Sequence, residues 1–246
     1  MNLNHLNTAK KPMIAVPITA NNLDDIKQSI IAINNNQHID LVEWRVDFFN
    51  NLHNFSMLKQ ANELLKKELK LPLLITFRTV NEGGHFNNSE AEYFKLLDLM
   101  IAEMKPDLLD VELAHQNSLI KNVIQNAHQN NILVIESNHD FNRTPVKLEM
   151  CKRLFQIQND GADIAKIAYM PKDNSDVLNL MKVTDFAKNN LSIPIVSMSM
   201  GNLGKITRLY GYQFGSCITF ASLNDSSAPG QLTVDTLNNV LKLLNE

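Results

Sequence analysis

Lys166 is the side chain whose surroundings point most directly to chemistry. It lies in residues 162–168 (ADIAKIA), a short apolar run that stops just before Met170 and Pro171. A run of this length, closed by a proline, predicts a buried strand and leaves no room for a helix. Burial disfavours the ammonium form, and a neutral lysine amine is the nucleophile that forms Schiff bases with carbonyl compounds. The structural alternative is a lysine at a strand end that snorkels to solvent or pairs with an acid.

Several of the neighbouring apolar runs end in ionisable side chains. These side chains have the same parity, which means that they fall on the same face of the predicted strands. Glu43 and Arg45 alternate with apolar residues, and Arg78, His139 and Lys166 end three further runs. In a barrel, this parity places side chains inside and near the C-terminal ends of the strands, where barrel enzymes have their active sites. A buried ion-pair network is the structural alternative for Glu43 and Arg45, and a satisfied structural histidine is the alternative for His139. The convergence of so many ionisable groups favours a catalytic site.

Three further carboxylates receive no role from this pattern. Asp110 and Glu112 share the inward parity of the predicted fourth strand. Glu136 has the opposite parity to His139, which points it toward the helices rather than the barrel interior. The sequence offers no physical account of a carboxylate at that position.

Two loops near the end of the chain carry groups suited to a carboxylate ligand. Residues 198–204 lead into a short helical stretch with Arg208, and residues 226–231 contain Ser227 and Gln231. A guanidinium beside serine and glutamine side chains holds a small carboxylate by charge-assisted hydrogen bonds. An ordinary turn before the last helix is the structural alternative for the second loop.

The elements that must position these side chains repeat along the chain. Apolar runs recur about every thirty residues, the length of a βα unit, at residues 13–18, 41–46, 73–77, 108–113, 132–137, 164–168, 194–198 and 216–220. Alternation of this kind predicts a parallel sheet closed into a (β/α)8 TIM barrel. We expect a single domain over residues 1–246, with residues 1–12 as a flexible N-terminal tail. An open doubly wound sheet is the runner-up, although no GxGxxG motif follows the first run.

The segments between the runs have the spacing of amphipathic helices. Residues 93–101 present one apolar stripe with helical spacing. Ser89 with Glu92 predicts a capping box where this stretch begins. Thr144 followed by Pro145 predicts an N-cap and a first-turn proline for a later helix.

Composition and charge narrow the class of function. The chain has 246 residues, of which 44% are hydrophobic and 20% charged, as is typical of globular proteins. A net charge of −3 gives no electrostatic case for binding nucleic acid or an anionic membrane. Cys151 and Cys217 have no metal-ligand spacing and fit a reducing compartment, so a cytoplasmic location is expected. No run is long enough to span a bilayer, and the N-terminus lacks the apolar stretch of a signal peptide.

Six short segments form a specific set. They are EWRVD at 43–47, TFR at 76–78 with EGG at 82–84, SNHDF at 137–141, AKIAYMP at 165–171, SMSM at 197–200 and SAPGQ at 227–231. Together, in this order and over nearly the whole chain from Met13 onward, they resemble the type I 3-dehydroquinate dehydratase family of the shikimate pathway. Each motif is weak alone, whereas the set is highly specific. Pro17 departs from the serine that some members carry in the first strand.

The resemblance implies a hydro-lyase that converts 3-dehydroquinate to 3-dehydroshikimate without a metal or cofactor. Lys166 would form an iminium with the C3 ketone, and His139 would act as the general acid and base. Glu82 would orient His139 and balance its charge. A homodimer is a further implication of the resemblance.

The same resemblance implies the residues that bind the substrate. Arg208 would bind the substrate carboxylate, with Ser227 and Gln231 completing the clamp. The hydroxyls of the substrate ring would bind to Glu43, Arg45 and Arg78.

Two other functions remain open at this stage. A class I aldolase would share the buried lysine, but it would bind a phosphorylated sugar near strands seven and eight, where this chain has Arg208 and Gln231. The second is a non-catalytic metabolite-binding barrel. A barrel that has lost its activity loses the nucleophile or the base before other site residues, whereas this chain has both Lys166 and His139.

Overall fold

The computed structural model describes residues 11–50, 52, 54–87, 89–223 and 228–245. The first ten residues of the predicted flexible tail lie outside the described residues. The strands are β1 (Met13–Ile18), β2 (Leu41–Arg45), β3 (Leu73–Thr76), β4 (Leu108–Glu112), β5 (Leu133–Asp140), β6 (Ile164–Tyr169), β7 (Ile195–Ser199), β8 (Ile218–Ser222) and the short β9 (Leu232–Thr233). Each predicted apolar run therefore overlaps one of the strands β1 to β8.

Helices follow the strands in regular alternation. They are α1 (Leu23–Asn34), α2 (Phe55–Glu68), α3 (Glu90–Leu99), α4 (Asn117–Gln129), α5 (Lys147–Asp160), α6 (Asn174–Asn190), α7 (Gly201–Phe214) and α8 (Val234–Asn245). The predicted capping box of Ser89 and Glu92 is present at the start of α3, so that prediction is confirmed. Within the described part of the chain, no helix is long and apolar enough to cross a membrane.

The strands form one parallel sheet that closes on itself. Their order is β7-β6-β5-β4-β3-β2-β1-β8-β9, and β1 pairs with both β2 and β8. The seam between β7 and β8 is bridged by Ile195 and Ser216, and the Cys217 N–H donates to the Ile195 carbonyl at 2.8 Å. The predicted (β/α)8 barrel is confirmed, and the open doubly wound sheet is not observed.

The barrel interior has an apolar floor below a polar layer. Residues from the early part of the strands, such as Leu41, Leu108 and Ile164, form an inner apolar cluster. A second, larger cluster fills the space between the strands and the helices and contains Trp44. Because successive strand residues alternate between the two faces, the later inward positions are left for the ionisable side chains. The polar layer therefore lies at the C-terminal ends of the strands.

Candidate active site

The predicted site residues come together in one cleft at the C-terminal end of the barrel. Eight of the nine line it, and the cleft contains about 500 Å³ of empty space measured out to its open mouth. They are Glu43, Arg45, Arg78, Glu82, His139, Lys166, Arg208 and Gln231. Ser227, the ninth, lies outside the described residues.

Lys166 is buried among carboxylates. Its Nζ atom lies 3.2 Å from Asp110 Oδ2 and 3.7 Å from Glu43 Oε1, and only 4% of the residue is exposed. The Nζ atom also lies 4.6 Å from the centroid of the Phe220 ring, within cation–π distance. Pairing with an acid, which was the structural alternative for this lysine, is therefore present. The same amine nevertheless lines the cleft, where a carbonyl compound can reach it.

Glu43 is held in place by the neighbouring strand. The Thr76 hydroxyl of β3 donates to Glu43 Oε1 at 2.8 Å, and residues 43 to 45 of β2 lie in parallel register with residues 74 to 76 of β3. This contact leaves the carboxylate facing Lys166 across the barrel interior.

His139 and Glu82 form a tightly hydrogen-bonded pair. Glu82 Oε2 lies 2.8 Å from His139 Nδ1 and accepts from the His139 backbone N–H at 3.1 Å, while the Asn138 amide donates to Oε1 at 3.0 Å. The Arg78 guanidinium is a further donor at 3.3 Å. These three donors favour the ionised form of Glu82, although burial opposes it. With Glu82 as a carboxylate acceptor, His139 Nδ1 carries the hydrogen and Nε2 keeps a free lone pair.

Burial and neighbouring cations keep the imidazole neutral. Burial lowers the pKa of His139 well below its ordinary value, and the charges of Arg78, Lys166 and Arg45 lower this pKa further. Burial also raises the pKa of Glu82, which the positive charge of Arg78 opposes. A neutral imidazole with a free Nε2 is suited to act as a general base.

A glycine pair lets the turn that carries Glu82 approach β5. Glu82 ends a 3₁₀ turn, and Gly83 follows in the left-handed region with φ +81°. A Cβ atom at Gly83 would lie 2.3 Å from the Phe141 ring, and one at Gly84 would lie 2.1 Å from the Arg78 carbonyl oxygen. Side chains at these positions would push the turn away, so the EGG sequence is what brings Glu82 within reach of His139.

Arg78 is the centre of a buried ion-pair network beneath the cleft. Its guanidinium lies 2.8 Å from Asp110 Oδ1 and 3.1 Å from Glu112 Oε1, and it donates to the Ser137 hydroxyl at 2.9 Å. Thr79 donates to Glu112 from both its backbone N–H and its hydroxyl. The two inward carboxylates of β4, to which the sequence assigned no role, thus hold Arg78 in place.

The charge of Asp110 depends on its two cationic neighbours. Burial raises the pKa of this carboxyl, but Arg78 and Lys166 outweigh burial and hold the pKa below its ordinary value. Asp110 is therefore a carboxylate that links the lysine to the arginine network.

Arg45 is oriented by a carboxylate two residues further along the chain. Its Nε and Nη2 atoms donate to the two oxygens of Asp47, both at 2.8 Å, and its guanidinium lies 4.9 Å from the centroid of the Phe48 ring. Asp47 is itself fixed by the backbone N–H of His85 at 3.2 Å. A bidentate pair of this kind holds the guanidinium in one orientation at the cleft wall.

Arg208 enters the cleft from α7 without a carboxylate partner among the described residues. Its guanidinium donates to the carbonyl oxygens of Phe220 and Pro229, each at 3.3 Å. Burial lowers its pKa to about 10, so the side chain is charged at neutral pH. A third contact runs from the guanidinium to the Met198 sulfur at 3.6 Å. A buried guanidinium whose neighbours among the described residues are uncharged is suited to bind a carboxylate or another small anion.

A family model agrees with this geometry. The model for type I 3-dehydroquinase matches residues 14–246, which is nearly the whole chain. The chain belongs to the type I 3-dehydroquinase family. The family resemblance drawn from the six segments is therefore confirmed.

Relatives in the type I 3-dehydroquinase family cover most of the chain. The 3-dehydroquinate dehydratase of Lactiplantibacillus plantarum is 43% identical over 92% of this chain and 90% of its own length. That of Clostridium kluyveri is 42% identical over 95% of this chain and 92% of its own length. The type I 3-dehydroquinate dehydratase of Clostridium difficile, solved with covalently modified comenic acid, has a TM-score of 0.91 at 41% identity and covers 96% of this chain and 93% of that one.

Several residues around the type I 3-dehydroquinase site were not assigned from the sequence. Met198, Met200 and Phe220 line the cleft and supply its apolar surface. Asp47 and Asn138 do not line it but bind residues that do. The two methionines, Asp47 and Asn138 lie inside the six segments, so their place in those motifs was the only available signal.

Proposed function

We propose that the protein dehydrates 3-dehydroquinate to 3-dehydroshikimate through an iminium on Lys166. One observation carries the proposal: the Lys166 amine, the neutral base His139 and the anion-binding Arg208 line the same cleft. The relatives' name, 3-dehydroquinate dehydratase, supports the substrate. The covalently modified comenic acid of the Clostridium difficile enzyme supports covalent chemistry in this family.

The first step joins the lysine to the ketone. The Lys166 ammonium gives up a proton, and its amine attacks the C3 carbonyl to form a carbinolamine. Loss of the carbinolamine oxygen as water leaves a protonated imine at C3. His139 Nε2 supplies and accepts the protons of these steps, because it is the neutral base in the cleft.

The second step eliminates the C1 hydroxyl. His139 takes a proton from C2, and the electron pair of the C–H bond moves into the iminium to give an enamine. The resulting imidazolium is stabilised by Glu82, which lies 2.8 Å from Nδ1. It returns its proton to the C1 hydroxyl, which leaves as water as the enamine electrons form the new double bond. Hydrolysis of the conjugated iminium by water frees the product and restores Lys166.

The remaining polar groups bind the substrate. Arg208 holds the carboxylate, with Gln231 of the described cleft and Ser227 from the SAPGQ segment as further donors. Glu43 and Arg45 bind the ring hydroxyls, since each is already oriented by a neighbouring side chain. Arg78 lines the cleft and contributes positive charge at the bottom of the substrate site.

We propose a single-domain protein that acts in the cytoplasm as a homodimer, without a metal or cofactor. Sedimentation of the purified protein tests the dimer, and activity in the presence of a chelator tests the absence of a metal.

The experiment that tests the mechanism compares the turnover of two lysine variants. Each variant is assayed with 3-dehydroquinate as substrate, and the absorbance of the enone product is measured. Lys166→Met removes the nucleophile and should lower kcat by about 10⁴-fold or more. Lys172→Met is the matched control, because this exposed lysine lies just beyond β6 and is not a cleft residue. Wild-type turnover in the Lys166 variant would refute the covalent route, and the control variant should retain wild-type turnover.

A further inference from the structure

A chain of hydrogen bonds runs from Glu82 through the barrel wall to the helical layer. Asn138 donates from Nδ2 to Glu82 Oε1 at 3.0 Å, and its Oδ1 accepts from Arg153 Nη1 at 2.5 Å. The Tyr169 hydroxyl donates to the same Oδ1 at 3.0 Å. Arg153 belongs to α5 and pairs there with Glu149, one turn earlier in the helix. The site is thus connected to a side chain that does not line the cleft.

The direction of this chain follows from what each group can donate. A guanidinium has no acceptor, so the Asn138 atom that faces Arg153 is its carbonyl oxygen. The Tyr169 hydroxyl accepts from Arg153 at 3.3 Å and therefore turns its own hydrogen toward Asn138. With two donors on its oxygen, Asn138 has to present its amide hydrogens to Glu82. Arg153 thus decides which end of the Asn138 amide meets the carboxylate.

Burial makes this orientation matter for the charge of Glu82. Asn138 is 7% exposed and Tyr169 is fully buried, so the hydrogen bonds lie in a medium of low dielectric constant. The amide donor favours the ionised form of Glu82, against the burial that disfavours it. A rotated amide would instead place its oxygen against the carboxylate. The pair of Glu82 and His139 would then lose the ionised partner that the imidazolium requires.

We propose that Arg153 is a positioning residue for the reaction, which acts through Asn138 on the ionisation of Glu82 and on the base His139. The inference rests on the proposed function of Glu82 and His139 in proton transfer. Arg153 lies on α5, outside the cleft, so it reaches Glu82 only through the Asn138 amide, which it contacts directly and through the Tyr169 hydroxyl.

The other charged and titratable groups around Glu82 stay the same when Arg153 is replaced. They are Arg78 after β3, Asp110 and Glu112 on β4 and His139 on β5. The exception is Tyr169 on β6, which loses its hydrogen bond from Arg153. Burial raises the pKa of Tyr169 to about 12, so this hydroxyl stays neutral over the pH range of the assay. A change in the pH dependence of the variant therefore reports the Asn138 contact.

The experiment measures kcat against pH for Arg153→Met with 3-dehydroquinate. Loss of one hydrogen bond to a charged group predicts a fall in kcat of about tenfold near neutral pH. The acid limb of the kcat profile should move upward by about one pH unit, because Glu82 becomes harder to ionise. Asn138→Ala should give the same shift, and the double variant should add little to it. Arg153→Lys, which restores a donor, should recover part of the loss.

Arg143→Met is the matched control. Arg143 also pairs with Glu149, at 3.3 Å, but its side chain is 51% exposed. Its donors reach Asp140 and Glu149, and no hydrogen bond joins it to Asn138 among the residues that the structure describes. This variant removes the same charge from the same surface and should keep the wild-type profile.

Two results would overturn the inference. One is a pH profile of Arg153→Met that matches wild type, and the other is a fall in kcat that is equal at every pH, which indicates a purely structural role. Reductive trapping of wild-type protein with substrate separates this outcome from failure of the mechanism. If wild type forms a trapped adduct on Lys166 and the profile does not move, only the role of Arg153 is wrong.

Discussion

Replacing Glu136 with glutamine should stabilise the protein, and the stabilisation should grow as pH rises. Glu136 lies on β5 and is fully buried on the side facing the helices. Within the described part of the chain, its two carboxyl oxygens and Asp160 Oδ2 have no donor. A proton on Glu136 supplies the missing donor, because the carboxylic acid can then hydrogen-bond to Asp160. Asp160 itself accepts from Asn117 at 2.6 Å and lies 3.4 Å from Lys121 Nζ.

The pKa of Glu136 sets the size of the effect. Burial, with the negative charge of Asp160 and the hydrogen bond to it, raises this pKa from 4.5 to about 9. Between these two values the unfolded chain loses the proton while the folded chain keeps it, so the free energy of unfolding falls as pH rises. At about pH 7.5 this linkage costs ~4 kcal/mol, since each pH unit is worth about 1.4 kcal/mol. Glutamine is neutral in both states and still donates to Asp160, so Glu136→Gln should recover ~4 kcal/mol there and close to nothing at about pH 4.5.

Denaturant unfolding at several pH values measures this directly. The difference in free energy of unfolding between Glu136→Gln and wild type should widen steadily from acid to neutral pH. Glu68→Gln is the control, because it neutralises an exposed carboxylate at the end of α2 and should leave the wild-type pH dependence unchanged. Parallel curves for Glu136→Gln and wild type would show that Glu136 is ionised in the folded protein and would refute the reasoning. Enzyme activity should not change, since the side chain faces away from the cleft.

Three further outcomes are expected. His139→Ala should lower kcat by about 10²–10⁴-fold while an adduct on Lys166 can still be trapped, and wild-type turnover would contradict its role as the base. Arg208→Ala should raise KM by about tenfold or more because the carboxylate loses its charged partner, and an unchanged KM would show that the anchor lies elsewhere. Gly84→Ala should lower the melting temperature and kcat together, because a Cβ would lie 2.1 Å from the Arg78 carbonyl oxygen; a variant with wild-type values for both would show that the turn can move without cost.

Local patterns predicted the parts of the structure that depend on neighbours in sequence. The alternation of apolar and ionisable residues in β2 placed Glu43 inside the barrel, the apolar run of β6 predicted a buried Lys166, and both residues line the cleft. The capping box at Ser89 needed only residues within one helical turn. The prediction that Thr144 is an N-cap was wrong. Its hydroxyl donates to the Met170 carbonyl oxygen, and α5 begins at Lys147 with Val146 as the N-cap residue.

Those local patterns could not predict contacts between segments that are distant in the sequence. The sequence showed that Glu136 faces the helices, but it did not show its partner. That partner is Asp160 at the end of α5, and only the packing of α5 on the barrel brings the two side chains together. The partners of Lys166 and Arg78 on β4 also required the strand order. Arg153 had no signal in the sequence, because a helical arginine near a glutamate is typical of a solvated surface. Its contact with Asn138 depends on how α5 packs on the barrel wall.

The most direct test of the account is the mass of the protein after borohydride reduction with 3-dehydroquinate. Reduction of the iminium should add one reduced ligand to the intact mass, and peptide mapping should place it on Lys166. The Lys166→Met variant should gain no mass under the same conditions. An unchanged mass of the wild-type protein, or an adduct on another lysine, would contradict the covalent mechanism.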